Sequence, residues 1–360
     1  MTEQEFIDQS VAKQLGEVGG PIAQSESAMI RALQGSSGMA VAHVPGEDCL
    51  LALDRNGKRK TVARNAPWLP QKTSVALATI LKQDPQFGFV VDMQDRRLRD
   101  VSEQGDAAYP VFCFNRQVGD KHRILWPLAR YHDIDGDQFL AGIQPDSFEW
   151  ANKKPQMIWR GITGGRSAGM GAGRGEGVRL KSAFKRFREG KISKNRLRNI
   201  VSTAPRYRAL IHVAGNPKYD FGFVDGGGYV IAETALHAHL ERPRIPREVM
   251  QEYRYIAVLR GLDVGSSFYW VMNSGSVGFV QDTPFETFAS GHFLPWKHFV
   301  PFREDCSDLD ENFDWAEAHQ QECRMLTERA AAICRFVSRD DLRNEILHRV
   351  VACLNKMQRV

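Results

Sequence analysis

No stretch of the chain reaches the run of about 18 apolar residues that a bilayer-crossing helix requires, so no membrane span is expected. The opening residues, MTEQEFIDQSVAKQ, have neither the basic nor the apolar region of a secretory signal, so none is expected there. Cysteine is scarce: Cys49, Cys113, Cys306, Cys323, Cys334 and Cys353 lie far apart and never form a CxxC pair. That pattern argues against a disulfide scaffold or a zinc ribbon and fits reduced thiols in a cytoplasmic compartment. No G-K-[ST] follows a glycine run, and G-x-S-x-G and H-E-x-x-H are absent, so P-loop, serine-hydrolase and zincin chemistries have no support. A strong charge of one sign is lacking too. The net charge of +5 suits an anionic ligand or a membrane surface without indicating nucleic acid.

What is present is a globular composition, 42% hydrophobic and 25% charged, in 360 residues, enough for two domains. MAVAHV, CLLALD and KTVAR within 39–64 read as short strands, the last two joined by a DRNG turn. A helix near 73–83 precedes strand candidates FGFVVD, YPVFCF and RILWPL. Beyond residue 152 the order reads strand RALIHVA, a helix near 232–241, strand YIAVLRG, helix SFYWVMN, strand SVGFVQ, short helix PFETFAS and strand HFVPF. Ser307 and Asp310 form an S-x-x-[DE] capping box for a long helix, 308–337, and an amphipathic helix over 340–358 follows. Apolar strands alternating with helices predict an α/β protein with a parallel sheet covered on both faces.

Four features carry candidate chemistry. GITGGRSAGMGAGRGEG, 161–177, is either a surface loop or, because Trp159 and Arg160 precede it, a turn offering guanidinium and backbone N–H groups to a phosphate. The basic stretch after it, 179–198, reads as a solvated helix face. His237 and His239 are two apart, on different sides of a helix, and do not share a metal readily. HDIDGDQ, 132–138, holds Asp135 and Asp137 at a spacing that either binds a divalent ion or makes a surface turn. Asp92 and Asp95 end an apolar strand, where α/β sheets bind ligands.

The segment from Tyr253 to Trp315, with YRYIAVLRGLDVGSSFYWVMNSGSV and LPWKHFVPFREDCSDLDENFDW, resembles glycosyltransferase family 90. This family contains capsule-associated and lipopolysaccharide-modifying transferases as well as protein O-glucosyl- and O-xylosyltransferases. Asp92 to Asp95, Trp159-Arg160-Gly161 and GFVDGG at 222–227 fall in the family's order, so the likeness runs from about residue 85 to 337. It implies a GT-B architecture, two Rossmann-like domains facing across a cleft. Residues 1–150 would form the acceptor-side domain, 151–339 the nucleotide-sugar domain, and the 340–360 helix would cross back to the first.

The resemblance implies an inverting transfer from a UDP-sugar to a hydroxyl of a glycan or lipid-linked saccharide, with neither a metal nor another cofactor and with no nucleic-acid partner. Asp95 would be the general base, with Asp92, Tyr131 and His132 on the acceptor side. Arg160, Gly161, Thr163, Arg179 and the loop Asp263, Val264, Gly265, Ser266 and Ser267 would bind the donor, and Glu286 would accept from the ribose hydroxyls. Many members carry an arginine where this chain has Ser267, and the D-V-x-S pattern is similar to the bacterial lipopolysaccharide-modifying branch. Such an enzyme would work in the cytoplasm, with peripheral contact to the inner membrane face as an option. Three alternatives remain at this stage: an inactive nucleotide- or carbohydrate-binding relative, a metal-dependent sugar transferase using Asp135 and Asp137, and an RNA-binding protein, for which only Phe184 and Phe187 stand among the basic residues.

Overall fold

The computed structural model describes residues 1–18, 21–95, 109–128, 146–167, 177–224 and 238–358. The chain divides into two units. Unit 1 is Met1–Ala141 with Pro284–His292 and Arg335–Val360, and unit 2 is Gly142–Thr283 with Phe293–Cys334.

Unit 1 begins with α1 (Glu3–Leu15), which Thr2 and Glu5 close with a reciprocal capping box, and α2 (Glu26–Gln34). Strands β1 (Val41–His43), β2 (Cys49–Leu53) and β3 (Arg59–Ala63) are antiparallel. The hairpin between β2 and β3 turns at the expected DRNG. Asp54 Oδ1 accepts from the N–H groups of Asn56 and Lys58, and Gly57 takes φ +77°. After α3 (Gln71–Leu81) come β4 (Phe89–Val91), β5 (Val111–Cys113), β6 (Asn115–Gln117) and β7 (Arg123–Leu125). The sheet runs β3-β2-β1-β4-β5-β7, with only β4, β5 and β7 parallel. This mixed sheet differs from the Rossmann-like arrangement that the resemblance implies for residues 1–150. The short turn at residues 55–57 makes β2 and β3 a hairpin, whereas the buried, parallel β4, β5 and β7 require crossovers.

His43 on β1 gives this sheet a pH dependence. Its ring lies 5.0 Å from that of Phe89, and burial, aided by Arg64, lowers its pKa to about 4. The folded form therefore holds a neutral imidazole that the unfolded chain protonates below about pH 6.5. Stability from this group is complete above that value and falls as the pH drops towards about 4, by up to about 1.4 kcal/mol per pH unit. Tm measured across this window should fall less steeply in His43→Gln than in the native protein.

Unit 2 is built on a five-stranded sheet in the order β13-β11-β10-β8-β9, parallel throughout. β8 (Lys154–Gly161) leads through α4 (Leu180–Arg188), α5 (Lys194–Val201) and α6 (Pro205–Val213) to β9 (Tyr219–Phe223). The stretch RALIHVA, expected as a strand, thus lies in α6. Pro205 at its first turn presets helical φ, and Tyr207, Leu210 and Val213 bury one helical face. The strand is YDFGF, a few residues on. Of the helix expected near 232–241, the described residues show a 3₁₀ turn at Ala238–Leu240. α7 (Arg247–Met250), β10 (Tyr253–Val258), α8 (Phe268–Met272) and β11 (Val277–Gln281) follow.

β12 (Phe285–Thr287) belongs to unit 1 and pairs with β6, Glu286 opposite Arg116. PFETFAS was expected as a helix. Instead Phe285 and Thr287 are buried and Glu286 is half-buried, a period of two. β13 (Val300–Phe302) completes the sheet of unit 2.

The expected 308–337 helix is two helices, α9 (Leu309–Ala318) and α10 (Gln320–Val337). His319 breaks it with φ −121° and ψ 53°, its ring stacked on Trp315 at 4.9 Å. Gln320 then bonds Tyr255 Oη and Trp150 Nε1, both at 2.8 Å. The Ser307–Asp310 capping box does not form: Asp308 occupies the cap position, and its carboxylate accepts from Arg303 N–H. Asp310 is drawn instead to Tyr219 Oη, 2.6 Å away. α11 (Asp340–Met357) returns the chain to unit 1, where Phe6 of α1 stacks on Phe336 at 5.2 Å and Arg339 pairs with Glu3.

Candidate functional site

In unit 2, β9 and β10 flank β8 on opposite sides, so the strand order reverses between β8 and β10. Ligands of open parallel sheets bind outside the carboxyl ends of the strands at such a reversal. The loops that leave β8 and β10 there, 162–167 and 259–267, hold most of the expected donor residues. They touch backbone to backbone. Gly165 has φ +107°, and a Cβ on it would come within 2.8 Å of the Gly261 carbonyl oxygen.

On the β8 side, Trp159 is buried in the core while Arg160, its neighbour, takes the other face. Arg160 makes a two-pronged pair with Asp220 on β9, 2.8 and 2.9 Å, and donates to two main-chain carbonyls. Tyr253 Oη donates to the same carboxylate at 2.9 Å. Gly161 makes room for the Trp159 indole, which a Cβ would meet at 2.4 Å. Thr163 is 1% exposed, yet its hydroxyl has no hydrogen-bond partner among the described residues. Ser167 N–H donates to Val178 O, and Arg166 bridges to Arg179, so the two arginines face each other across the neck of the glycine-rich stretch. Arg179 is exposed at the cap position of α4.

On the β10 side, Asp263 is buried, with its carboxylate accepting from Val264 N–H at 2.6 Å and its carbonyl accepting from Thr283. Gly265 lets the chain turn back over the strand end, since a Cβ would lie 2.5 Å from Val258. Ser266 is exposed, and Ser267 caps a helix of five residues without a side-chain bond. Of the helix expected over SFYWVMN, Ser267 and Asn273 are the caps, and Phe268 N–H turns to Gly265 O. Buried Gln281 ties the strand ends together, accepting from Arg260 N–H and donating to Glu304 O, while Arg260 pairs with Glu304. Burial, reinforced by Asp308, raises the Asp282 carboxyl above the usual range. Burial pushes the nearby Cys306 thiol up to about 12, which leaves no thiolate nucleophile at that position.

Two residues missed from sequence belong to this edge. Arg206 stands at the start of α6, and its position there is not visible from the residues alone. Arg166 lies within the glycine-rich stretch 161–177, where the sequence gives it no separate role.

In unit 1, β4 ends at the two carboxylates. Asp92 is fully buried and accepts from Ser37 N–H at 2.8 Å, from the Ser37 hydroxyl at 2.7 Å and from Gln94 N–H at 3.3 Å. Asp95, three residues on, is half-exposed and pairs with Lys72 of α3 at 3.0 Å. Glu286 also lies in unit 1, on a strand and not beside a helix start, paired at 2.7 Å with the buried Arg116. Arg116 reaches on to the Gln14 carbonyl at the end of α1. Tyr131, His132, Asp135, Asp137, His237 and the glycine-rich residues 168–176 lie outside the described residues. Among the described residues no group of three or more His, Cys, Asp or Glu side chains is arranged to hold a metal ion, and no helix is long and apolar enough to cross a membrane.

The match to a family model falls on the β10 side of this edge. Residues 224–349 match the model of glycosyl transferase family 90. O-glucosyltransferase LpsA of Dichelobacter nodosus is 28% identical over 126 residues, which cover 35% of this chain and 37% of the relative. Protein O-glucosyltransferase 2 of Danio rerio is 29% identical over 75 residues, 21% of this chain and 15% of the relative. Protein O-glucosyltransferase 3 of Homo sapiens is 26% identical over 84 residues, 23% and 17% respectively. The similarity thus spans well under half the length of these relatives. The family-model match contains β10, the 259–267 loop, β11 and β13, the elements that form one side of the strand-order reversal. Through this segment the chain is similar to glycosyl transferase family 90.

Proposed function

We propose that the protein is an inverting, metal-independent glycosyltransferase that moves a hexose or pentose from a UDP-sugar to a hydroxyl of a glycan or lipopolysaccharide-type acceptor, working in the cytoplasm at the inner membrane face. The observation that carries the donor side is the meeting of the β8 and β10 loops at the strand-order reversal, with the unpartnered Thr163 hydroxyl and the arginine pair at the neck beside it. The acceptor side is assigned to Asp95, because its neighbour Asp92 is buried and engaged by three donors. The two units are read as the halves of a GT-B enzyme.

In this reading Asp95 takes the proton of the acceptor hydroxyl as its oxygen bonds to the anomeric carbon. The bond from that carbon to the phosphate oxygen breaks, and UDP departs with the electron pair. Arg179 and the two loops hold the diphosphate, and Arg160 supports them through Asp220. Charges fixed in place before reaction are the usual largest source of such stabilisation. Ser266 and Ser267 offer hydroxyl donors where many family members offer an arginine.

A thermal-shift panel of nucleotide sugars tests the donor class. The cognate UDP-sugar at about 100 times its dissociation constant should stabilise the protein by roughly 2.7 kcal/mol. Donor hydrolysis should then proceed with a chelator present. Stabilisation without turnover would indicate an inactive binding relative, and turnover lost with chelator and restored by manganese would indicate a metal-dependent transferase. No shift with any nucleotide sugar would sink the reading.

A further inference from the structure

A single guanidinium joins the two loops. Arg206, at the N-terminal turn of α6, donates from Nη1 to Ile162 O at 2.9 Å, from Nε to Arg260 O at 3.2 Å and from Nη2 to Leu259 O at 3.4 Å. Its guanidinium carbon sits 5.6 Å from the centre of the Trp159 ring, so the plane has both a fixed seat and fixed directions. The glycines of both loops are fitted to it. A Cβ on Gly164 would lie 3.3 Å from Nη1, and one on Gly261 would lie 3.0 Å from Nη2.

We infer that Arg206 is a positioning residue for the nucleotide diphosphate, holding the β8 and β10 loops at the spacing the ligand needs without touching it. This rests on the donor site being at the strand-order reversal. The bonds go to carbonyls of both loops, so the fork occupies acceptors that would repel a phosphate oxygen brought near them. A lysine in the same place would keep the charge but lose the fork that reaches three carbonyls at once.

The test measures UDP affinity by calorimetry, with hydrogen exchange of residues 162–165 and 259–263, in the full chain. Two variants disturb the clamp differently: Arg206→Lys shortens its reach, and Gly261→Ala places a methyl against the guanidinium. Each should weaken UDP binding by about tenfold, the equivalent of roughly one lost bond, and speed exchange in both loops while the variant is still folded. A role confined to stability would lower Tm and leave the affinity of the folded protein unchanged. Affinity within twofold of native in a folded variant overturns the inference alone. A native protein that binds no UDP overturns the donor-site reading, and the inference with it.

Discussion

Asp95→Asn is expected to lower turnover by about 10²–10⁴-fold while leaving UDP-sugar affinity nearly unchanged, the usual range for losing a general base. The amide keeps the size and a carbonyl oxygen that can still meet Lys72, so folding should be little affected. Asp92→Asn should behave differently. Its carboxylate faces the N–H and hydroxyl of Ser37 in a fully buried position, and an amide NH₂ there would meet a donor. The expected result is a lower Tm, by the cost of a buried unmatched polar group, about 1–3 kcal/mol. Single-turnover kinetics and melting curves on both variants separate the two roles. Rates within threefold of native in Asp95→Asn, with stability intact, would mean the base is another residue.

Arg160→Ala is the second large effect, and the structure makes it a test between two roles. Resemblance to the family assigns Arg160 to the diphosphate, but here its guanidinium is held by Asp220 and two carbonyls. Deleting one partner of a buried ion pair typically costs about 3–5 kcal/mol. Asp220 keeps some exposure and the Tyr253 hydroxyl, so a loss of about 2–3 kcal/mol is expected here. Asp220→Asn should reproduce most of that loss if the pair is a brace. If Arg160→Ala instead leaves Tm unchanged and weakens UDP by the 1.5–3 kcal/mol of a charge-assisted bond, the arginine leaves Asp220 for the ligand.

Much of this protein is legible in its residues. The DRNG turn, the buried runs FVV, VFC and RIL, and the parallel strands YRYIAV and VGFVQ declare themselves locally, because burial and turn geometry depend on near neighbours. The order of Trp159-Arg160-Gly161 and the 259–267 loop also marks the edge where the candidate donor site lies. Ambiguity entered where an apolar run suits two conformations. RALIHV satisfies either period, and Pro205 together with the face buried against Phe223 selects the helix. FET becomes a strand because β6 supplies a partner edge, a contact between residues about 170 apart in sequence.

The sequence by itself determined the α/β class, the segment that resembles glycosyl transferase family 90 and which residues carry charge near the strand ends. Only the tertiary structure decided how those charges are used. Asp92 and Asp95 look alike on paper, but one is saturated by Ser37 and the other is left half-exposed. Arg160 looks like a ligand-binding residue and is paired with Asp220, while Arg206, unremarked in sequence, spans both loops at the strand-order reversal. The physical reason is that a side chain's chemistry is local, whereas its partners are set by strand order and helix packing, which bring together groups tens of residues apart.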